Sequence, residues 1–174
     1  ADYNDYLYGS GTHLTYYFSI IDEEYSFYKI VLPDKYNSIE KYNLILIITD
    51  SYLSSEPIQD DSDVCFSTIP DLQDSIIAYV GGRAYSIGGY MWEACLLNEI
   101  NHIVNEYSID KDRVFAMADD VGGIPLINFA SKHPHLFAGI LIKNTSMYSQ
   151  SIKNLYNVTC LSVTSCENIN NRLF

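Results

Sequence analysis

Hydrophobic positions along the chain fall into short runs with two different rhythms. Leu44-Ile45-Leu46-Ile47-Ile48 is continuously apolar, as a strand buried on both faces requires, and 75–80 reads the same way. Further upstream, 14–21 and 25–32 are β-rich and separated by the polar break Asp22-Glu23-Glu24, which predicts a hairpin. The rhythm then changes. Trp92, Leu96, Ile100, Ile103, Val104 and Tyr107 recur at three- and four-residue steps, which predicts a helix over 92–107. His102 lies beside that stripe and reads as a structural histidine. A strand over 114–117 follows, then a helix over 122–132 with Pro125 in its first turn, where a missing N–H costs little. Strands over 139–142 and 158–163 complete the pattern. Strands alternating with helices predict an α/β fold: a mainly parallel sheet covered on both faces. Residues 1–13 are polar and tyrosine-rich and read as an arm or linker, leaving 14–174 as one domain.

Composition narrows the partners. The 174 residues are 48% hydrophobic and 18% charged, enough apolar content for one sizeable core. A net charge of −12 with a pI near 4.4 argues against a phosphate backbone as partner, so no nucleic acid is expected. It suits a basic protein partner or a neutral sugar. No apolar run approaches the roughly 20 residues of a membrane span, so no membrane partner is expected. Four cysteines permit three pairings. Cys160 with Cys166 across a short loop, and Cys65 with Cys95, are the expected ones. The triplets Asn144-Thr145-Ser146 and Asn157-Val158-Thr159 match the glycosylation pattern. No signal peptide is visible, yet a start at Ala1-Asp2-Tyr3 fits what cleavage leaves behind. Together these features point to secretion. The acidic run Asp60-Asp61-Ser62-Asp63 lacks the glycine and distal glutamate of a calcium loop, so no metal is expected. Gly81-Gly82 and Gly88-Gly89 carry no phosphate-cradling pattern, so no cofactor is expected either.

The stretch that carries chemistry is Arg113-Val114-Phe115-Ala116-Met117-Ala118-Asp119-Asp120-Val121-Gly122-Gly123. A short apolar strand, a sharp turn and a glycine pair opening a helix form the frame of the G-x-S-x-G nucleophile elbow. Asp120 stands where that motif has serine. Tyr107-Ser108-Ile109-Asp110-Lys111-Asp112-Arg113-Val114-Phe115-Ala116 before it resembles a run found in secreted α/β-hydrolase esterases. So does Phe129-Ala130-Ser131-Lys132-His133-Pro134-His135-Leu136-Phe137-Ala138-Gly139 after it. These are the feruloyl esterases, acetyl-xylan esterases and polyhydroxyalkanoate depolymerases. The specific match spans 101–142, and weaker similarity reaches back to Leu14. The resemblance implies a three-layer α/β-hydrolase fold, short for its family, with Asp120 on a turn of unusual backbone angles.

It also implies what the chemistry lacks. In the family a His-Gly pair after the buried strand helps form the oxyanion hole; here the place reads Thr49-Asp50-Ser51, and a carboxylate repels a developing oxyanion. An aspartate nucleophile, as in haloalkane dehalogenases and epoxide hydrolases, still needs a histidine to activate water. His133 follows a helix of about 11 residues and so ends about 16 Å from the elbow, and His135 shares that problem. His102 belongs to the preceding helix and His13 to the arm. The family's late histidine has no counterpart before Phe174. The expectation is a pseudoenzyme. Its 16 tyrosines offer rigid contact area with a hydrogen-bonding tip.

The family's work on plant cell-wall polysaccharide in multi-enzyme assemblies supplies the implied setting. A non-catalytic relative there would act in protein–protein binding, as a cohesin-like scaffoldin module of a cellulosome-type assembly gripping a docking domain. The alternatives are a carbohydrate-binding pseudo-esterase on plant cell-wall polysaccharide and an active carboxylic-ester hydrolase using Asp120. The expected contacts are the loops at the carboxyl ends of the strands, where the family holds substrate: Asp50, Ser51 and Tyr52, then Asp119 and Asp120, then Met147 and Tyr148.

Overall fold

A computed structural model of the chain describes residues 11–48, 74–82, 86–145 and 150–163. Seven strands form one sheet: β1 (Gly11–Ser19), β2 (Glu24–Leu32), β3 (Tyr42–Ile48), β4 (Ser75–Val80), β5 (Ile109–Asp119), β6 (Gly139–Lys143) and β7 (Thr159–Val163). Two helices are described, α1 (Tyr90–Glu106) and α2 (Gly123–Lys132). The strand order is β1-β2-β4-β3-β5-β6-β7. The pairs β1/β2 and β2/β4 are antiparallel, and every later pair is parallel. The expected mainly parallel α/β sheet is present, opened by an antiparallel hairpin.

Side-chain alternation divides the sheet into two faces. On one, Leu44, Leu46 and Ile48 of β3 meet Ile76, Ala78 and Val80 of β4 and Val114, Ala116 and Ala118 of β5. The helices close this face: Trp92, Leu96, Ile100 and Ile103 from α1, and Leu126, Ile127, Phe129 and Ala130 from α2, belong to the same core. On the other face Ile45, Ile47, Ile77 and Tyr79 form a second buried cluster, to which neither described helix contributes. The expectation of helices on both faces is thus met on one face among the described residues.

Three boundaries differ from the sequence expectation. β1 starts at Gly11, so His13 is not in an arm; it pairs with Ile30 of β2. β5 is longer than 114–117 because it begins at Ile109 and bulges against β3, where the pairing jumps from Tyr42/Ile109 to Leu44/Val114. Its charged residues Lys111, Asp112 and Arg113 sit on that bulge, exposed, and hid the strand from an apolar count. A 3₁₀ turn over Gln150–Leu155, which no periodic pattern announced, leads into β7.

No disulfide joins the two described cysteines. Cys95 is buried on α1 with its Sγ 4.0 Å from the Asp22 carboxylate, and Cys160 lies half-buried on β7. Their expected partners, Cys65 and Cys166, fall outside the described residues, as does the acidic run 60–63.

Candidate functional site

The site is assembled by the turn that ends β5. Asp119 is the last strand residue, with φ −112° and ψ 148°. Asp120 then takes φ +41°, a left-handed value that an L-residue adopts at a cost of about 1 kcal/mol or more. The 3₁₀ turn Asp120–Gly122 feeds straight into α2. This strand–turn–helix geometry, with Asp120 strained at its apex, is what the motif predicted.

Two glycines make so sharp a turn fit. A Cβ on Gly122 would stand 3.3 Å from the Ala118 Cβ, a tight approach. One on Gly123 would stand 2.6 Å from the Thr145 Cβ, which no side chain tolerates without displacement. Thr145, just beyond β6, is 5% exposed, and its hydroxyl donates a hydrogen bond to the Asp120 carbonyl. The β6 end therefore pins the strained residue from beside it. Sequence reasoning missed this pin, having read Asn144-Thr145-Ser146 only as a glycosylation triplet.

Beside the apex lies a polar cluster. Asp119 pairs in register with Lys143 across β5 and β6, and Lys143 Nζ stands 3.1 Å from Asp119 Oδ2. Asn144, at φ +57°, donates from Nδ2 to Asp119 Oδ1 at 2.9 Å. Its backbone N–H donates to the Val163 carbonyl at 2.8 Å. A glycan on Asn144 would have to take the same amide nitrogen that now holds Asp119. Asp119 is thus ion-paired with Lys143 and hydrogen-bonded by Asn144, whereas Asp120 presents an exposed carboxylate at the apex. Of the expected contact residues, the structure brings Asp119 and Asp120 together. Asp50, Ser51 and Tyr52, and Met147 and Tyr148, lie outside the described residues.

The histidines sit elsewhere. His102 accepts or donates at 3.2 Å from the Tyr28 hydroxyl and stacks 4.9 Å from the Tyr17 ring, so burial in the hairpin's packing lowers its pKa. β2 is three strands from β5 in the sheet, about 14 Å at the usual strand spacing. His133 ends α2 and packs 4.8 Å from the Phe129 ring. Burial, and to a lesser degree His135, lower its pKa. A ten-residue helix places it about 15 Å from the elbow, in line with the sequence estimate. Among the described residues no group of three His, Cys, Asp or Glu side chains could hold a metal ion.

A second anchor on the same rim went unread. Gly82, just after β4, adopts φ +58° with Trp92 against it; a Cβ there would meet Trp92 Cδ1 at 2.8 Å. Its N–H donates to Glu99 Oε2 at 3.2 Å. Glu99 is 1% exposed on α1, and burial pushes its carboxyl up to about 8, partly offset by the backbone N–H bonds from Gly82 and Gly81. The signal was a glutamate inside the apolar stripe of α1, where a solvated face has no reason to reach.

Three solved structures resemble this fold. A thermostable esterase superposes with a TM-score of 0.68 at 14% identity, over 87% of this chain and 45% of its own. A ferulic acid esterase gives 0.63 at 15%, over 79% and 61%. S-formylglutathione hydrolase (FrmB) from Staphylococcus aureus gives 0.60 at 17%, over 86% and 65%. The chain spans less than two thirds of each. No family model and no curated protein matches it. The likeness shows an α/β-hydrolase-like fold.

Proposed function

We propose that this α/β-hydrolase fold serves as a non-catalytic, protein-binding module, a pseudoenzyme on an esterase frame. The observation that carries the reading is the elbow. It retains the strained backbone and glycine packing of a nucleophile turn, yet its apex bears the exposed carboxylate of Asp120. Serine at that position needs a neighbouring base to become a nucleophile. The four histidines of the chain are placed in β1, beside the hairpin, and at and beyond the far end of α2.

One named neighbour and the acidic charge support the setting of this reading. A ferulic acid esterase is one of the structures sharing this fold, and plant cell-wall material is the substrate class implied by the sequence resemblance. In that setting the module grips a basic docking domain as a secreted, cohesin-like scaffold part of a cellulosome-type assembly. Charge −12 speeds such an encounter.

Two measurements test this. Hydrolysis of p-nitrophenyl acetate and methyl ferulate should be no faster than by Asp120→Asn, and Asp120→Ser should not gain turnover. Turnover abolished by Asp120→Asn overturns the proposal and assigns an aspartate nucleophile. Separately, the immobilised chain should capture, from a plant-biomass-degrading secretome, enzymes that share a small appended domain. Retention on insoluble xylan or cellulose instead identifies the carbohydrate-binding alternative.

A further inference from the structure

β1 alternates as a half-buried strand should, but its two rows are reversed. The row facing the helix-covered core carries His13, Thr15, Tyr17 and Ser19. The outward row carries Leu14 at 42% exposure, Tyr16 at 64% and Phe18 at 50%. The hairpin register sets Phe18 opposite Tyr25, itself 75% exposed, and Tyr16 opposite Phe27. The rings touch across the strands, Phe18–Tyr25 edge-on at 5.5 Å and Tyr16–Phe27 at 5.7 Å.

A one-residue slip would exchange the rows, so the reversal must be held in place. It is held by the polar inner row. Thr15 Oγ1 lies 3.1 Å from the Tyr107 hydroxyl of the helix-side core, and Tyr17 stacks on His102. Scattered apolar residues on a surface need no explanation, but these are contiguous. Three aromatic rings and a leucine expose roughly 400–500 Å² together, in the upper range of patches on a monomer, and such patches are commonly functional.

We propose that this outward face of the β1–β2 hairpin is a docking surface for an amphipathic helix of another protein, with an apolar stripe edged by lysine or arginine. A helix is the element that covers a sheet face, as α1 and α2 cover the opposite side. The basic edge follows from charge. Exposed Glu23 ends the turn and exposed Glu24 opens β2, while Lys29, the one cation of β1 and β2, is 8% exposed and held 4.7 Å from the Tyr79 ring. Two copies of this chain would instead bring like acidic turns, and −12 on each molecule, face to face. A polysaccharide would meet a row offering only Thr12 and tyrosine hydroxyls to its many sugar hydroxyls.

The inference rests on the binding-module reading but uses a face distinct from the elbow. The test uses the full ¹⁵N-labelled chain titrated with a helical Leu/Lys peptide whose leucines form one stripe. A peptide of equal composition with scattered leucines, and xylohexaose, serve as comparisons. Amide shifts should map to 14–18 and 25–27, and the striped peptide should bind at least ten-fold more tightly than the scattered one. Tyr25→Lys, at a position too exposed to disturb folding, should weaken it ten-fold or more, and Tyr16→Ser gives a second reading. Equal binding of the two peptides, or unchanged affinity in Tyr25→Lys, overturns the proposal. So does an effect of xylohexaose on the same amides, or concentration-dependent dimerisation that Tyr25→Lys abolishes. Ester turnover measured on the same samples reports separately on the module reading.

Discussion

The elbow and the hairpin sit at different places in one sheet and break opposite rules. At the elbow the backbone is costly and the surroundings over-determine it: Asp120 at φ +41° is pinned by Thr145 and fitted by Gly122 and Gly123. In the hairpin the left-handed residue, Glu23 at φ +55°, is confined to the turn, and what is unexpected is the side chains of β1, apolar outside and mostly polar inside. Strain persists where packing enforces it, whereas the exposed apolar row is fixed only in register, by the inner contacts of β1, and is not itself packed against the core. The elbow therefore tells how the frame is held, and the hairpin tells where something else can be held.

The largest expected effect tests the enforcement. Gly123→Ala should destabilise the chain by about 3 kcal/mol, because its Cβ collides with the Thr145 side chain. Denaturant titration should show Thr145→Gly rescuing part of that loss in the double variant, despite removing the Asp120 pin. Additive losses would mean that the contact is not the cause.

Glu99 holds the neighbouring loop and gives a pH signature. Its folded-state value of about 8 lies above the unfolded value near 4.5, so between them the native state binds the extra proton. The stability it contributes is fully present below the unfolded value and is lost as pH rises through about 8. The unfolding free energy from denaturant titration should fall from pH 5 to pH 8, by an amount on the order of 2–4 kcal/mol, and Glu99→Gln should flatten that fall. A profile unchanged by Glu99→Gln would refute the assignment.

The strain itself is worth less. Asp120→Gly should raise stability by roughly 0.5–1 kcal/mol, since glycine takes a positive φ freely. Asp120→Val should lower it by about 1–2 kcal/mol. The opposite order in thermal melts would mean that Asp120 gains more from local contacts than its backbone loses. Smallest of all, Phe18→Thr on the outward row should change stability by under about 1 kcal/mol. A loss of several kcal/mol would show that the row supports the fold and remove the contrast with the elbow.

The elbow was legible because it combines an apolar strand, paired glycines and an apolar helix within one short window. β3, β4 and α1 were legible for the same reason: their burial is written in continuous or helical-period apolar runs. What escaped reading depends on long-range partners. Thr145 matters only because β6 lies beside β5, and Glu99 only because α1 crosses the end of β4. The hairpin's strands were found, but not which row faces inward, since alternation reads the same from either side. β5 was cut short because a bulge with three charged residues interrupts its apolar signal.

The strand order carries a consequence for synthesis. β2 docks not on β3, the next strand made, but on β4, while β3 goes inside between β4 and β5. Roughly forty residues separate the end of β2 from the start of β4, and ribosomes add about 5–20 residues per second. For roughly 2–8 s the finished hairpin has no edge to join. Throughout that interval Tyr28 and Ile30 lack the core that later elements complete, and are as uncovered as Tyr16 and Phe18. Chaperone demand on this region should therefore be concentrated while residues 33–74 are being made and relax once β4 emerges.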